Sequence, residues 1–478
     1  MENGLAARNG GRVGLAALIA ILLIGIGLRV GEAWDGRAPV YDAAAYAAIA
    51  ANLDRGNGFT VGAAATQPSS NYSPGLPLLI AALYKVTGDV HERTARLLLA
   101  LIGSLAILFT YLLGRRLGRV MTSSGHSPPN SSSVAAGLIG AAAVAIYPAL
   151  LEYQGMLMSE PLAATLLSGA VLAMFWAGDA GPSGPGTDRP GEGGLRAGRY
   201  VRSRPPSPGH SVVRWLLPGV LLGGLAMVRP EYLGVALLLG GVVFVTGLRD
   251  GWRGALARGT VLLVGVVVIV APWTIRNAVA LDRAVPISTG GGQVLFAGTY
   301  LPSDGDPEKV GAEVVARHPE LFASADAQRL RLEQILARLA AARYPDLESD
   351  QALSRMGKEQ LGDDISEEPL EFAGFVATKV GRIWSHGPRA VMREPGWGAL
   401  HWALVGFGLL GLGLLAWRRR WEALVLATVF FGITALSALL VASPRRVLVM
   451  LPLVAALAGV GATWLWAQAI ERPSDGGC

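Results

Sequence analysis

The sequence is poor in cysteine and in charge. Its 478 residues include a single cysteine, Cys478, so an intramolecular disulfide and a cysteine metal cluster are excluded. Charged residues make up 16% of the chain, against the roughly 25% that is usual in soluble domains. Hydrophobic residues reach 52% and the mean hydropathy is +0.42. These values exclude a disordered, collagenous or disulfide-rich chain and predict an all-α polytopic integral membrane protein.

Long uncharged runs mark the predicted membrane-spanning helices. About 18 consecutive apolar residues can cross a bilayer as a helix. The stretch 74–86 is too short to span and is expected to lie in the membrane interface. The run 215–228 is also short for a span. In all, ten runs approach or reach the required length and predict about ten or more transmembrane helices: 13–28, 97–113, 134–151, 161–178, 215–228, 232–248, 259–275, 397–417, 423–444 and 447–470.

Arginine placement predicts the orientation, because short basic loops remain on the cytoplasmic side. With Arg8 and Arg12 in the cytoplasm, alternation of the spans places four further basic segments there: 115–119, 189–214, 249–258 and 418–420. The net charge of +6 is therefore mainly a topology signal, and no nucleic-acid partner is expected. We predict a multi-pass protein of the cell membrane with a cytoplasmic N terminus. Residues 31–34 offer no small-x-small cleavage site, so the first run reads as an uncleaved anchor.

The hydrophilic segments divide the chain into three predicted regions. Residues 1–275 form an N-terminal transmembrane catalytic module with a first outer loop at 31–96. Residues 276–396 form an extracytoplasmic loop domain, and 397–478 form the C-terminal transmembrane helices. Two cytoplasmic loops, about 122–133 and 179–212, have the composition of disordered segments. Within the outer domain, 327–342 has a helical apolar stripe of Leu330, Ile335, Leu336 and Leu339.

Acidic residues in the first two outer loops are candidate catalytic groups. Asp42 and Tyr46 are four residues apart, so on a helix they share one face. A carboxylate there can serve as a general base, although Asp is also a common N-cap residue. Glu160 opens the fourth run, where it is either a first-turn acid favoured by the helix dipole or a second carboxylate of the same outer cavity. Two such acids could divide the work of base and orienting group, or hold a metal between them.

Arginines on the outer side complete the candidate site, in conflict with the positive-inside bias. Arg229 precedes Pro230 and Glu231, Arg276 precedes Asn277, and Arg445 and Arg446 precede the last run. Each could snorkel to lipid phosphates. Arginine also binds phosphate oxygens in bidentate geometry, so three such sites on one face indicate a clamp for an anionic headgroup. The six histidines lack ligand spacing, and no nucleotide-binding loop or nucleophile elbow is present.

These motifs, in their order and topology, resemble the C-type glycosyltransferase superfamily over nearly the whole chain. More narrowly, they resemble the branch of protein O-mannosyltransferases and bacterial aminoarabinose transferases of lipid A. The resemblance is strongest from residue 13 to about 300. The motifs that carry it are Asp42-x-x-x-Tyr46, Ala50-Ala51-Asn52-Leu53, Gly56-Asn57-Gly58-Phe59, Ser73-Pro74-Gly75-Leu76-Pro77-Leu78, Ala95-Arg96-Leu97, Ser159-Glu160-Pro161, Arg229-Pro230-Glu231, Pro272-Trp273-Thr274-Ile275-Arg276-Asn277, Ser288-Thr289-Gly290-Gly291 and Lys379-Val380-Gly381-Arg382-Ile383-Trp384.

The resemblance implies a membrane glycosyltransferase whose active site lies on extracytoplasmic loops. It would move a sugar, with inversion, from a polyprenyl-phosphate donor to an envelope lipid, glycan or protein. Asp42 would be the general base, and Glu160 would orient the acceptor or the base. The implied substrate-binding residues are Tyr46, Arg229, Glu231, Arg276, Asn277, Arg445 and Arg446.

Two departures from the family pattern bear on metal and donor binding. Many relatives carry a second acid directly after the first-loop Asp, where this chain has Ala43. Many also carry Lys or Arg before the Pro motif, where this chain has Tyr72-Ser73. These departures count against metal binding at the first loop, although a divalent metal stays an open alternative, and they predict altered recognition of the donor headgroup.

Two other function classes remain open at the level of sequence. A carrier or flippase for a lipid-linked sugar would use the same arginines for binding but would also place ionisable groups at mid-membrane depth, where the spans here have few. An inactive scaffold of an envelope assembly would explain the departures at Ala43 and Tyr72.

Overall fold

A computed structural model describes residues 2–62, 67–122, 129–179, 212–282, 284–304, 306, 308–322, 330–385 and 390–470. Within these ranges the secondary structure is helical, with no β-strand. This confirms the predicted all-α class. The predicted disordered segments fall largely at 123–128 and 180–211, outside the described residues, as does Cys478. Residues 129–133, predicted as loop, instead open a helix at Pro129, because proline is well tolerated in the first turn.

The chain folds into three consecutive groups of helices. The first comprises α1 Glu2–Trp34, α2 Asp42–Asp54, α3 Gly75–Thr87, α4 Glu92–Thr122, α5 Pro129–Ile146, α6 Pro148–Gly155, α7 Glu160–Gly178, α8 Leu216–Val228, α9 Tyr232–Gly247 and α10 Trp252–Leu281. The second comprises α11 Gly291–Thr299, α12 Val310–Arg317, α13 Leu332–Arg343, α14 Ser349–Glu367 and α15 Pro369–Ser385. The third comprises α16 Pro395–Trp417, α17 Trp421–Leu439 and α18 Arg445–Ile470.

The described helices include eight that are long and apolar enough to cross a membrane: α1, α4, α7, α9, α10, α16, α17 and α18. The α5–α6 pair, bent by 46° at Tyr147, would make a ninth. The count is lower than the predicted ten because the run 215–228 forms only the 13-residue α8. At 1.5 Å per residue this helix is about 20 Å long, against a hydrocarbon core of about 30 Å.

Close helix packing around α18 forms the centre of the bundle. This helix packs against α4, α5, α7 and α16, and it is the most buried of the eight spans. Glycine permits the close approach: a Cβ added at Gly459 would lie 2.0 Å from the Ala136 carbonyl oxygen of α5. Small residues have this role in membrane bundles, where packing replaces the hydrophobic effect between helices. The last helix thereby brings its first residues, Arg445 and Arg446, up against the N-terminal module.

The segment between α10 and α16 has an apolar core of its own. Phe296 and Tyr300 stack with ring centroids 5.3 Å apart, and the stripe Ile335, Leu336 and Leu339 of α13 is buried against them and their neighbours. The stripe was predicted, but the helix begins at Leu332, and the start predicted at 327 lies outside the described residues. The short apolar stretch 74–86 forms α3, which packs against α2 and α8.

Polar contacts distinguish the two ends of the bundle. At one end, Arg116 near the end of α4 pairs with Asp179 and, at 3.2 Å, with Glu422 of α17. Arg418 and Arg420 donate to the carbonyls of Met121 and Val120 at the same end. This is the end predicted to be cytoplasmic. The starts of α2, α7, α9 and α18 meet at the opposite end, where the candidate residues lie.

Candidate active site

Asp42 lies at the edge of the site, at the start of the alanine-rich helix α2. The N-cap position is occupied by Tyr41, with φ of 52°, and no side chain caps the helix. Asp42 is therefore the first residue of α2 and not its N-cap. Asp42 Oδ2 lies 3.6 Å from Arg445 Nη1, and the two side chains are 48% and 44% exposed. The Arg445 guanidinium also lies 6.0 Å from the ring centroid of Tyr153.

Behind this exposed pair, four charged side chains form a buried network. Arg229 Nη1 lies 3.2 Å from Glu160 Oε1, and Arg229 Nε lies 3.1 Å from Glu231 Oε1. Arg446 Nε lies 4.0 Å from the same Glu231 oxygen, and Arg446 Nη1 donates to Ser437 at 3.0 Å. The four side chains are 1–15% exposed. Two carboxylates and two guanidiniums therefore balance each other inside the protein.

Neighbouring charges keep Arg229 and Glu231 ionised despite their burial. Burial by itself lowers the pKa of Arg229, but the Glu231 and Glu160 carboxylates raise it by more, so the net shift is upward. Burial raises the pKa of Glu231, and Arg229 followed by Arg446 lowers it by more, so the net shift is downward. These two residues therefore stay charged near neutral pH and are poorly suited to exchange protons.

Tyr46 connects the exposed pair with the buried network. Burial raises the pKa of its hydroxyl, and the negative charges of Asp42 and Glu160 raise it further, so the hydroxyl stays protonated. It hydrogen-bonds with Ser159, and its ring meets Tyr72 edge-on at 5.9 Å. Tyr46 therefore offers a neutral hydroxyl next to two carboxylates, which suits recognition of a polar substrate group.

Several buried polar atoms at this end have no hydrogen-bond partner among the described residues. They are Glu160 Oε2, the Tyr232 hydroxyl and Arg446 Nε. Buried polar atoms in native proteins nearly always bind a protein group or ordered water. Each of these three atoms therefore has an unused hydrogen-bonding position among the described residues.

Lys379 is a buried lysine beside this network. The sequence pointed to it only as part of the motif at 379–384 and not as a site residue. Its Nζ donates to the carbonyls of Gly298 at 2.5 Å and Leu440 at 2.7 Å, and the residue is 1% exposed. Burial, followed by the positive charge of Arg446, lowers the pKa of Lys379 to about 7. Lys379 joins α11 and α15 to the end of α17, directly before the segment that carries Arg445 and Arg446. A single lysine in an amphipathic helix carries no signal of such a role.

Two further residues near Tyr72 were also absent from the predicted site. The charges of Glu333 and Arg331, at the start of α13, act on Tyr72, as does the charge of Asp42. Burial, followed by Glu333 and Asp42, raises the pKa of the Tyr72 hydroxyl. The helical segment between α10 and α16 therefore borders the exposed side of the site.

Arg276 and Asn277 hold loops rather than join the charged network. Arg276 donates to the carbonyl of Ser69 at 2.9 Å and lies 4.8 Å from the Trp273 ring centroid. Asn277 is fully buried and donates to the carbonyls of Val285 and Ile287 at 3.0 and 3.1 Å. Among the described residues, neither side chain contacts Asp42 or Glu160. Their predicted substrate-binding role stays a prediction.

The carboxylates at this site do not form a metal-binding arrangement. Asp42, Glu160 and Glu231 are each paired with an arginine. In the part of the chain that the structure describes, no group of three or more potential protein ligands could hold a metal ion. We therefore derive no chemistry through a metal.

Comparison with solved structures places this architecture beside an archaeal oligosaccharyltransferase. The oligosaccharyltransferase AglB of Archaeoglobus fulgidus, solved with an inhibitory peptide and a dolichol-phosphate, superposes with a TM-score of 0.54 at 15% identity. The match covers 95% of this chain and 50% of that one. Two other structures of the Archaeoglobus fulgidus oligosaccharyltransferase, one tethered to an acceptor peptide and one in the apo form, give TM-scores of 0.53 and 0.51 at 14% and 15% identity. These two matches cover 95% of this chain and 50% and 51% of those chains.

This likeness concerns the fold alone. The chain spans about half the length of these oligosaccharyltransferases. No protein-family model and no curated protein sequence matches it.

Proposed function

We propose that the protein is a membrane glycosyltransferase that uses a polyprenyl-phosphate sugar and acts on the extracytoplasmic side of the cell membrane. The observation that carries the proposal is the half-exposed Asp42–Arg445 pair beside a buried, charge-balanced network. The buried charges balance one another, whereas this carboxylate and this guanidinium are exposed to solvent. A base and a phosphate-binding cation are thus both within reach of one bound substrate.

The reaction would be a single displacement at the anomeric carbon. The Asp42 carboxylate takes the proton of the acceptor hydroxyl as its oxygen forms the new glycosidic bond. The bond between the anomeric carbon and the phosphate oxygen breaks, and the electron pair leaves with the polyprenyl phosphate. Attack opposite to the leaving group inverts the configuration. Arg445 stabilises the negative charge that develops on the phosphate, where preorganised electrostatics contribute most.

The loose geometry of the pair suits this exchange. At 3.6 Å the two side chains are in ionic contact without a short hydrogen bond. An exposed pair of this kind contributes about 0–1 kcal/mol, so a donor phosphate can replace Asp42 as the partner of Arg445 at little cost. Donor binding would then release Asp42 to act as a base. Glu160 and Tyr46 would orient the acceptor through the unpaired carboxylate oxygen and the protonated hydroxyl.

The neighbour solved with a dolichol-phosphate and an inhibitory peptide supports a lipid-linked donor. The acceptor would be an envelope lipid, glycan or protein, and the protein O-mannosyltransferase and aminoarabinose transferase branch remains the proposed relative.

A carrier without catalysis is the rival class. Carriers place coupling groups near the bilayer midplane. In the described spans, the acidic residues lie in the first or last turns. Examples are Glu92 of α4, Glu160 of α7 and Glu422 of α17. Arg29 of α1 is buried, but three backbone carbonyls, including those of Val144 and Ala145, accept its hydrogen bonds. This placement favours chemistry at one end over transport through the middle.

The test is to incubate the full-length protein in lipid nanodiscs with a panel of synthetic polyprenyl-phosphate sugars and envelope lipid acceptors. Mass spectrometry would follow both release of polyprenyl phosphate and gain of one sugar by the acceptor. The proposal expects both products in equal amounts. Movement of labelled donor across proteoliposomes without either product would favour the carrier.

A further inference from the structure

A cavity of about 630 Å³ opens at the end of the bundle opposite Asp42. It lies between α9, α16 and α17 and takes no part in the proposed reaction. One wall comes from Val245 and Thr246 of α9 and the other from Leu409, Leu412 and Ala416 of α16. We call it the basal groove. The basal groove lies at the same end of the bundle as the contacts made by Arg116, Arg418 and Arg420. This is the end predicted to be cytoplasmic.

The basal groove has the depth and lining of a site for an acyl chain. From Leu409 to Ala416 it follows two turns of α16, or about 10 Å, which is about a third of a hydrocarbon core of about 30 Å. Small residues, among them Gly413, Ala423 and Ala427, keep the groove open. Val245 and Leu409 are 57% and 65% exposed, so the groove faces the surrounding lipid.

Arginines border the mouth of the basal groove. Arg249, Arg419 and Arg420 belong to its lining. Arg420 donates to the carbonyl of Val120 at 3.3 Å. The side chains of Arg249 and Arg419 are exposed and make no hydrogen bond or ion pair with another described residue. Two guanidiniums are thus open to an anion where the apolar groove meets the membrane surface.

The backbone at Arg419 adds an independent observation. Its φ is 53°, in the left-handed region, directly after the end of α16. Glycine is the usual residue at this position, since a side chain there adds strain. Strained residues persist where a function or the surrounding packing requires them. Here the left-handed residue is Arg419, which lines the mouth of the groove.

We infer that the basal groove binds one anionic glycerophospholipid of the adjacent leaflet. Its phosphate contacts Arg249 and Arg419, and one acyl chain lies along α16 between α9 and α17. The combination of an apolar groove open to lipid with two exposed guanidiniums at its mouth matches both parts of such a lipid. Juxtamembrane arginines are known to favour anionic over zwitterionic lipids.

Native mass spectrometry of the full-length protein, with added phosphatidylglycerol or phosphatidylcholine, tests this inference. We expect one phosphatidylglycerol to be retained in preference to phosphatidylcholine. Arg249→Gln and Arg419→Gln should each lower the affinity for phosphatidylglycerol about fivefold. Arg253→Gln is the control, because Arg253 is exposed four residues further along, in the first turn of α10, and does not line the groove; it should change the affinity less than twofold.

A pair of glycine variants on α16 tests the acyl-chain part without altering charge. A Cβ added at Gly413 or at Gly406 meets no atom within 4 Å, so both positions accept a side chain. Gly413 lines the groove and Gly406 does not. Gly413→Leu should abolish retention of phosphatidylglycerol, whereas Gly406→Leu should retain it as the parent protein does.

Two results would overturn the inference: equal retention of the two lipids, or unchanged lipid binding by Gly413→Leu. None of these readouts depends on sugar transfer, so they leave the proposed activity to be judged separately.

Discussion

The Asp42 carboxylate lies 3.6 Å from the Arg445 guanidinium, although nearly the whole chain separates the two residues in sequence. The central helix α18 brings them together, since Gly459 packs directly on α5 and Gly461 on α16, while its first residue reaches the start of α2. The pair is half exposed, whereas the other charges nearby are buried and balanced. A ligand with a phosphate and a hydroxyl would therefore meet these two residues first.

Arg445→Gln removes the exposed cation and retains a polar side chain. We expect kcat/KM for the polyprenyl-phosphate sugar to fall about 100-fold, because a cationic side chain that stabilises the developing phosphate charge is lost. Steady-state transfer assays measure the change. Arg343→Gln, at an exposed arginine of the outer segment, is the control and should behave as the parent does. Equal effects of the two substitutions would show that only the general charge of this end matters.

Glu160→Gln leaves Arg229 with one carboxylate instead of two. We expect the free energy of unfolding to fall by about 3 kcal/mol, because breaking a buried ion pair leaves a charge uncompensated. Unfolding of the protein in mixed micelles measures the loss. A double variant, Glu160→Gln with Arg229→Gln, should lose less than the sum of the single variants, since the two residues are coupled. Strict additivity would contradict the ion pair.

Lys379 should make stability depend on pH. Its pKa is about 7 in the folded protein against 10.5 as the ordinary value, so between these values the unfolded chain binds the extra proton. Stability is therefore lost as pH falls from about 10.5 towards 7. Between pH 7 and pH 9 we expect the free energy of unfolding to rise by about 2 kcal/mol more than in Lys379→Met. Identical pH profiles for parent and variant would refute this assignment.

Gly459→Ala tests the packing that places Arg445. The added methyl group would lie 2.0 Å from the Ala136 carbonyl oxygen, so α18 and α5 must move apart. We expect a loss of about 2 kcal/mol in the free energy of unfolding, as for other overpacked contacts. The matched change Gly406→Ala meets no atom within 4 Å, and its higher helix propensity should stabilise slightly. Thermal unfolding in detergent compares the two.

Local patterns predicted much of the fold. The uncharged runs located the eight spans, because helices in lipid must be apolar and about 20 residues long. The stripe Ile335, Leu336 and Leu339 was predicted to be buried from its helical period alone. The described residues contain eight or nine candidate spans, close to the approximate ten predicted, and the run 215–228, already short in the sequence, forms the 13-residue α8.

The site was less predictable than the fold. The order of motifs indicated Asp42, Glu160 and the outer arginines, and the structure brings Asp42, Tyr46, Glu160, Arg229, Glu231, Arg445 and Arg446 to one end. The order of motifs could not distinguish these arginines from Arg276. Arg276 was predicted to lie on the same side of the membrane, but it donates to the Ser69 carbonyl. Nor could the order of motifs find Lys379, whose environment is created by α11 and α17 from distant parts of the chain.

The most direct test of the account is the rate of sugar transfer by Asp42→Asn beside Asp54→Asn. Both substitutions remove one negative charge from α2, but Asp54 is at the far end of the helix, 3.9 Å from Lys85. We predict that Asp42→Asn lowers kcat at least about 100-fold, because general base catalysis is lost, while Asp54→Asn retains the parent rate. Full transfer by the Asp42→Asn protein would contradict the account.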